Sequence, residues 1–400
     1  MWIYFSPPTH SVEGYATHMT PKSTMRKFLQ QESSSGVLLI LGAALGLILA
    51  NAPTANFYNS LLDSSFTIDI SHFYLSLTLL KFINYLLMSL FFFVVGMEIK
   101  RELLSGHLSS IKKAAAPFLA ALGGMAVPAL IYIAIAGKEG SNGWAIPVAT
   151  DIALAVGVLA LLGSRVSFAM KTFLLALAVI DDIGAIAIIA FFYGDEIALN
   201  WLALGALTFA YIFLSYVKGF SNRFITGFLA LVLWYSFYRA GIHPTLAGVL
   251  LGLALPQSEE LENRLHPWSS FLVIPIFAVA NTGVEISTES IKNALSSSIA
   301  LGIFIALVVG KPLGIYIFTK VFTRLKVAES PEQNGKLDLV ATGSAAGIGF
   351  TVSIFIAKLA FKEESLQDLA IVAVIFASVV SALLSFILFK SPLNRRLREI

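Results

Sequence analysis

Two adjacent aspartates, Asp181 and Asp182, lie inside the apolar run FLLALAVIDDIGAIAIIAFFY of residues 173–193. An ionised carboxylate near the centre of a bilayer costs at least about 2.5–3.5 kcal/mol, so a consecutive pair there indicates a function. Neighbours on an α-helix point about 100° apart, so the two side chains can have different partners. A carboxylate holds a proton or helps to coordinate a small cation, but not both at once. The pair therefore predicts an ion path.

A third carboxylate, Asp151, follows Pro147 and Thr150 in WAIPVATDIALAVGVLALLG. Proline removes a backbone donor and clashes with the preceding turn, so we expect the helix to break just before Thr150. A broken helix exposes carbonyl groups that can ligate a cation, and the Thr150 hydroxyl could complete the shell. The alternative is that Asp151 is an ordinary helix N-cap.

Lys311 is the basic residue deep in the segment FIALVVGKPLGIYIF, where it precedes Pro312. A buried lysine needs a counter-charge or must lose its proton. We expect one member of the pair Asp181 and Asp182 to be its partner. The alternative is a lysine near a helix end that extends its amine to the membrane surface.

Two charged clusters lie between apolar segments. Glu98 and Arg101 have helical spacing in GMEIKREL, and Glu262 and His266 occur in ENRLHPW. Histidine titrates near neutral pH. Each could equally be a solvated surface group.

The elements that position these residues are transmembrane helices. The chain is 57% hydrophobic and 13% charged, whereas a soluble domain has about 25% charged residues. The net charge of +3 is small and gives no sign of nucleic-acid binding, so we expect no nucleic-acid partner. The absence of cysteine excludes disulfides and thiolate metal sites. Apolar stretches predict an all-α polytopic protein with about twelve crossings. They lie near 30–50, 77–99, 114–136, 144–163, 168–193, 200–217, 223–240, 242–255, 268–283, 296–319, 338–360 and 366–389.

Lysine and arginine concentrate in alternate connections, which predicts that both termini are cytoplasmic. We expect a mobile leader at 1–24, one transmembrane domain at 25–390 and a cytoplasmic tail at 391–400. The outer loop 51–76 has no Lys or Arg, and its apolar residues alternate with polar ones at 66–71. That period of two suggests a hairpin whose edge could pair with a second copy, although an ordinary loop is the alternative. Cleavage of the first segment as a signal peptide would upset the even helix count.

The Pro-broken segment is the middle of a three-helix group at about 113–193. A segment interrupted by glycines, near 338–361, is the middle of a second group at 296–389. The two groups would cross the membrane in opposite senses, which is the pattern of an inverted repeat with a midplane binding site. For the glycines alone, tight helix packing is the alternative.

The stretches GWAIPVATDIALAVGVLALLGSR, AVIDDIGAIAIIAFFY, GMEIKREL, GIHPTLAGVLLG, LHPW with NTGV, GKPLGI and GIGFTVSIFI occur in this order. They resemble the NhaA family of bacterial sodium/proton antiporters over nearly all of residues 25–390. The resemblance implies two crossing, interrupted helices, with Asp182 as the main ion-exchanging carboxylate and Asp181 as its neighbour paired with Lys311. Thr150 and Asp151 would shape the electrostatics of the interruption.

The resemblance also implies the physiology. The protein would export Na⁺, or Li⁺, from the cell in exchange for H⁺ by alternating access in the inner membrane. Exchange would be electrogenic, would respond to pH through Glu98, Arg101, Glu262 and His266, and would serve pH and sodium homeostasis without a cofactor. The loop 51–76 would form a homodimer.

Other function classes are less consistent with these residues. A sodium-coupled solute symporter of similar architecture is the alternative. A cation channel would not need Lys311 opposite the carboxylates. An intramembrane aspartyl protease needs a different sequence around its aspartates, so we expect a transporter and not an enzyme.

Overall fold

A computed structural model describes residues 21–70, 73–106, 108–194, 197–329 and 336–391. Apart from one hairpin, the regular elements in these ranges are helices. The α-helices are α1 (Pro21–Asn51), α2 (Ala55–Asp63), α3 (Leu79–Phe82), α4 (Met88–Leu104), α5 (Ile111–Ala136), α6 (Ile152–Leu161), α7 (Phe168–Phe192), α8 (Leu199–Val217), α9 (Arg223–Ala240), α10 (Thr245–Ala254), α11 (Glu259–Trp268), α12 (Ile274–Asn281), α13 (Thr288–Ser296), α14 (Ser298–Ile305), α15 (Lys311–Arg324), α16 (Lys336–Ala346), α17 (Phe350–Ala360) and α18 (Glu364–Lys390).

Within the described ranges, eight helices are long and apolar enough to cross a membrane, and a ninth span results if α16 and α17 are counted as one. This confirms a helical, multi-pass membrane protein. Three of the predicted crossings, 223–240, 242–255 and 268–283, fall on helices that are shorter or less apolar. The number twelve and the inverted repeats therefore stay predictions.

In the described part of the chain, three π-helical turns, in which the backbone bonds five residues back, join pairs of α-helices. They are Ile83–Leu87 between α3 and α4, Ser269–Val273 between α11 and α12, and Ala306–Gly310 between α14 and α15. Such turns are often found at functional sites. The third ends immediately before Lys311, whose backbone N–H donates to the carbonyl of Ala306.

The predicted outer loop contains two regular elements. Helix α2 was not predicted, and it is followed by an antiparallel hairpin of strands β1 (Ser65–Ile70) and β2 (Phe73–Thr78). The alternation at 66–71 therefore falls largely on β1. On the far side of the hairpin, the Tyr74 N–H donates to Tyr235 Oη, and Tyr235 Oη donates to the Tyr74 carbonyl. These bonds attach β2 to helix α9.

The chain ends are only partly described. Helix α1 begins at Pro21, inside the predicted leader 1–24, and residues 1–20 lie outside the described residues, so the leader stays a prediction. In the predicted tail 391–400, Ser391 alone is described.

Two spans are interrupted, and their interruptions contact each other. A 3-10 helix over Ser141–Val148 contains Pro147 and gives way to extended backbone at Ala149, before α6 begins. This confirms the predicted break before Thr150. Helices α16 and α17 meet at an angle of 49° across residues 347–349. The Asp151 N–H donates to the Ile348 carbonyl at 2.7 Å, which joins the two breaks directly.

Candidate functional site

A fully buried ion pair lies beside the two breaks. Lys311 Nζ is 3.0 Å from Asp181 Oδ2, and neither side chain is exposed. The same ammonium group donates to the Val148 carbonyl at the end of the 3-10 helix. Lys311, directly after the π-helical turn, and Asp181, in the middle of α7, thus carry opposite charges and face each other. The lysine contacts Asp181, the member of the aspartate pair that the family resemblance implies.

The Thr150 hydroxyl connects this ion pair to the second interruption. Thr150 Oγ1 lies 2.8 Å from Asp181 Oδ2 and 3.0 Å from the carbonyl of Ala346, the last residue of α16. Thr150 is completely buried. Asp181 Oδ2 therefore has two donors, Lys311 and Thr150, while the carboxylate itself stays out of contact with water.

Each aspartate of the pair has one oxygen available for a further partner. Asp181 Oδ1 and Asp182 Oδ1 are buried and have no hydrogen-bond partner among the described residues. Buried polar atoms normally have one, so an unpartnered pair at adjacent positions indicates a site for protons or ions. The two side chains differ in their surroundings, because Asp182 lines a cavity and Asp181 lies behind it against Lys311.

Asp151 has a different environment from Asp182. Its Oδ1 accepts from the Leu154 N–H at 3.0 Å, and its Oδ2 accepts from the N–H and the hydroxyl of Thr351 at 3.1 and 2.6 Å. Asp151 is therefore the N-cap of α6, and because it also lines the cavity, its role in the ion path stays a prediction. Thr351 was missed by the sequence analysis, although a hydroxyl residue directly after the Gly-rich break was an available signal.

A cavity of about 600 Å³ connects these residues to the other predicted cluster. Thr150, Asp151 and Asp182 line one part of it. Glu98, Arg101, Glu262 and His266 line another part. So do Glu102, which belongs to the same helically spaced group as Glu98 and Arg101, and Glu259, which was not selected from the sequence. A single cavity thus contains carboxylates from both predicted groups.

The four candidates for a pH response form two ion pairs between α4 and α11. Arg101 is paired with Glu262, and His266 Nε2 lies 3.3 Å from Glu98 Oε1, a contact that is ionic only when the histidine is protonated. Burial is the largest effect on Glu262 and raises the pKa of its carboxyl group, although the Arg101 guanidinium beside it acts in the opposite direction. This carboxyl group therefore binds a proton more readily than a solvated glutamate does.

The donor set of the site suits a hard cation. In the part of the chain that the structure describes, no three His, Cys, Asp or Glu side chains converge as in a metal centre. The available donors are oxygens: the two unpartnered carboxylate atoms of Asp181 and Asp182, and the Thr150 hydroxyl. Oxygen ligands of this kind suit hard cations.

Comparison with known proteins places this arrangement in a family. A family model described as "Na+/H+ antiporter 1" matches residues 26–389. The chain is 41% identical over 374 residues to the Na(+)/H(+) antiporter NhaA of Shewanella frigidimarina, covering 90% of this chain and 95% of that protein. It is 42% identical over 383 residues to the corresponding protein of Serratia proteamaculans, covering 93% and 98%. The matched range 26–389 includes every site residue described above.

Proposed function

This chain belongs to the Na+/H+ antiporter 1 family, and we propose that it exchanges the two ions at Asp181, Asp182 and Thr150. It is a transporter and not an enzyme. The observation that carries the site assignment is the pair of buried carboxylate oxygens without a partner among the described residues, Asp181 Oδ1 and Asp182 Oδ1. A carboxylate that binds a proton loses its affinity for a cation, so Na⁺ and H⁺ compete for the same atoms.

Exchange then follows from the positions of the two carboxylates. Na⁺ enters through the cavity and binds Asp182, with the Thr150 hydroxyl as a further oxygen ligand. Lys311 balances the charge of Asp181 while no cation is bound, and its ion pair with Asp181 breaks when the cation approaches. Protons arriving from the other side of the membrane neutralise the carboxylates and release the cation. Li⁺ is also a hard cation and binds the same oxygens.

The exchange is electrogenic in this scheme. Asp181 and Asp182 can bind one proton each, whereas their close spacing leaves room for one cation. A cycle that replaces a single Na⁺ by two protons moves net positive charge into the cell. The antiporter thereby uses the membrane potential to export Na⁺ and serves the homeostasis of sodium and pH.

Alternating access requires the site to face one side of the membrane at a time. We infer twelve crossings, with inverted repeats at about 113–193 and 296–389 that rock around the two breaks. Both termini would lie in the cytoplasm of a bacterium, with the protein in the inner membrane. The direct hydrogen bond between Asp151 and Ile348 supports rocking around the two breaks, because it couples the middle segments of the two proposed repeats. Single cysteines introduced into this cysteine-free chain would report the side of each loop by their labelling.

The ion pairs of Glu98, Arg101, Glu262 and His266 would regulate exchange by pH. Protonation of Glu262 neutralises the partner of Arg101, and protonation of His266 creates a charged partner for Glu98. Both events change the charge on the cavity wall that a cation passes. Acidification would therefore reduce cation entry, and alkaline pH would increase it.

A homodimer through the hairpin is a further proposal. Tyr235 occupies the outer edge of β2 at Tyr74. Since Tyr74 pairs with Asp69 in an antiparallel register, the backbone groups of Asp69 and Thr67 face away from β2. The β1 edge is therefore the one that a second copy would extend. A single cysteine at Thr67 should cross-link two copies in membranes, whereas one at Ser76 should not.

Sodium-dependent proton flux in everted vesicles tests the exchange site. The vesicles would come from cells that lack their own sodium exporters. Addition of Na⁺ should collapse an imposed pH gradient with the native chain and with Asp63→Asn, an exposed control, but not with Asp182→Asn. Normal flux in Asp182→Asn would refute the site assignment. Sodium-driven uptake of an organic solute without proton movement would favour a symporter.

A further inference from the structure

The Thr351 side chain makes the shortest hydrogen bond to Asp151. Its hydroxyl lies 2.6 Å from Asp151 Oδ2, and its backbone N–H reaches the same oxygen at 3.1 Å. Both residues are buried, with exposed fractions of 6% for Thr351 and 3% for Asp151. Charge-assisted hydrogen bonds of this length are among the stronger ones in proteins.

Asp151 and Thr351 connect the N-terminal ends of two helices. Asp151 Oδ1 accepts from Leu154 in the first turn of α6, and Asp151 Oδ2 accepts from Thr351 in the first turn of α17. Helix N-termini carry partial positive charge, so one carboxylate balances both. The Asp151 N–H closes the connection by donating to Ile348. The carboxylate is thus held between two segments that are 200 residues apart in the sequence.

The same carboxylate lines the cavity, together with Thr150, Asp182 and Glu98. Its negative charge therefore acts on any cation that approaches Asp182. The strength of that effect depends on where the carboxylate oxygens point. The N–H groups of Leu154 and Thr351 and the Thr351 hydroxyl help to hold them in one orientation, and of these the hydroxyl alone belongs to a side chain.

We propose that Thr351 is a positioning residue for cation binding, which holds the Asp151 carboxylate in the orientation that attracts Na⁺ to Asp182. This inference rests on the proposed exchange function of Asp182. The two backbone donors keep Asp151 in place as a helix cap, so loss of the hydroxyl alters the direction of the carboxylate more than the fold. The change appears in the apparent affinity for Na⁺ and much less in the maximum rate.

Two substitutions of similar size separate the hydroxyl from the volume of the side chain. Thr351→Val removes the hydroxyl and keeps the branched shape, whereas Thr351→Ser keeps the hydroxyl. Sodium-driven proton flux in proteoliposomes would give the apparent KM for Na⁺ and the maximum rate of each variant. We expect the KM of Thr351→Val to rise about tenfold, since the lost bond involves a charged group. Thr351→Ser should stay close to the native chain.

The variant Asp151→Asn shows whether Thr351 acts through Asp151. If it does, adding Thr351→Val to Asp151→Asn leaves the KM where Asp151→Asn alone puts it. A further rise in the double variant would mean that the hydroxyl contacts the cation itself, and would overturn the positioning role. Failure of Thr351→Ser to restore the native KM would also overturn it, because packing would then explain the loss.

Two controls keep the outcome decisive. Elution as a single species in size-exclusion chromatography checks folding, and Thr351→Ala replaces Thr351→Val if the latter aggregates. Asp182→Asn is measured in parallel. Normal exchange by Asp182→Asn refutes the proposed function, whereas an inactive Asp182→Asn together with an unchanged KM in Thr351→Val refutes only the role of Thr351.

Discussion

Gly96 on α4 packs directly against α10, and the substitution Gly96→Ala tests how closely these helices are held. A methyl group at Gly96 would lie 2.6 Å from the Val249 carbonyl oxygen and 3.2 Å from Gly252 Cα. Carbon normally approaches a carbonyl oxygen no closer than about 3.3 Å, so the helices must separate by about 0.7 Å. Backbone atoms cannot rotate away as a flexible side chain does. Overpacking of this kind costs about 1–3 kcal/mol.

Gly227→Ala on α9 is the matched control, because a methyl group there meets nothing within 4 Å. Both substitutions gain about 0.8–1.0 kcal/mol of helix propensity, so this gain cancels when the two variants are compared. With about 2.1 cal/mol/K of unfolding entropy per residue, the overpacking cost lowers the Tm of Gly96→Ala by about 1–4 °C relative to Gly227→Ala. Tryptophan fluorescence during heating in detergent measures both values. Equal midpoints would refute the packing argument.

Two further predictions concern charged side chains. Because both groups of the ion pair are fully buried, Lys311→Gln should destabilise the protein by about 3–5 kcal/mol, and adding Asp181→Asn should recover most of the loss. Thermal unfolding compares the single variant with the double variant, and equal instability of the two would contradict this prediction. The raised pKa of Glu262 stabilises the fold below about pH 4.3, and this contribution is lost as the pH rises through the folded-state value. The Tm of Glu262→Gln relative to the native chain should therefore rise with pH over that interval; a constant difference would contradict this.

The main site could be predicted from the sequence because its residues are of types that are unfavourable where they occur. A carboxylate pair in an apolar run, a lysine at membrane depth and a proline before Thr150 are each unfavourable in isolation. The free-energy cost of burying these charged residues must be offset by interaction partners, and only a few pairings among the residues can provide such partners. The contact between Lys311 and Asp181 follows this logic, but the choice of Asp181 over Asp182 came from the family resemblance.

The remaining features depend on tertiary contacts that the local sequence does not reveal. Thr351 meets Asp151 across 200 residues, and its position just after the Gly-rich break does not show which residue it contacts. The π-helical turn before Lys311 has the composition of an ordinary helix, since packing selects the extra residue. Helix α2 was not predicted, because the alternating pattern that follows it indicated strands for this loop. The sequence allowed two interpretations of Asp151, and only the hydrogen-bond donors around it show that it is the N-cap of α6.

The Thr150 hydroxyl has one hydrogen and two acceptors. While Asp181 is negatively charged, the charge-assisted bond to Oδ2 is the stronger choice. If Asp181 is neutralised by a proton or a cation, as the proposed exchange requires, the hydrogen would turn to the Ala346 carbonyl, one of the last carbonyls of α16. Filling the proposed site would then tighten a bond to a neighbouring helix end, and emptying it would loosen that bond. The rotation of one hydroxyl would in this way transmit the occupancy of the site to the second interrupted span.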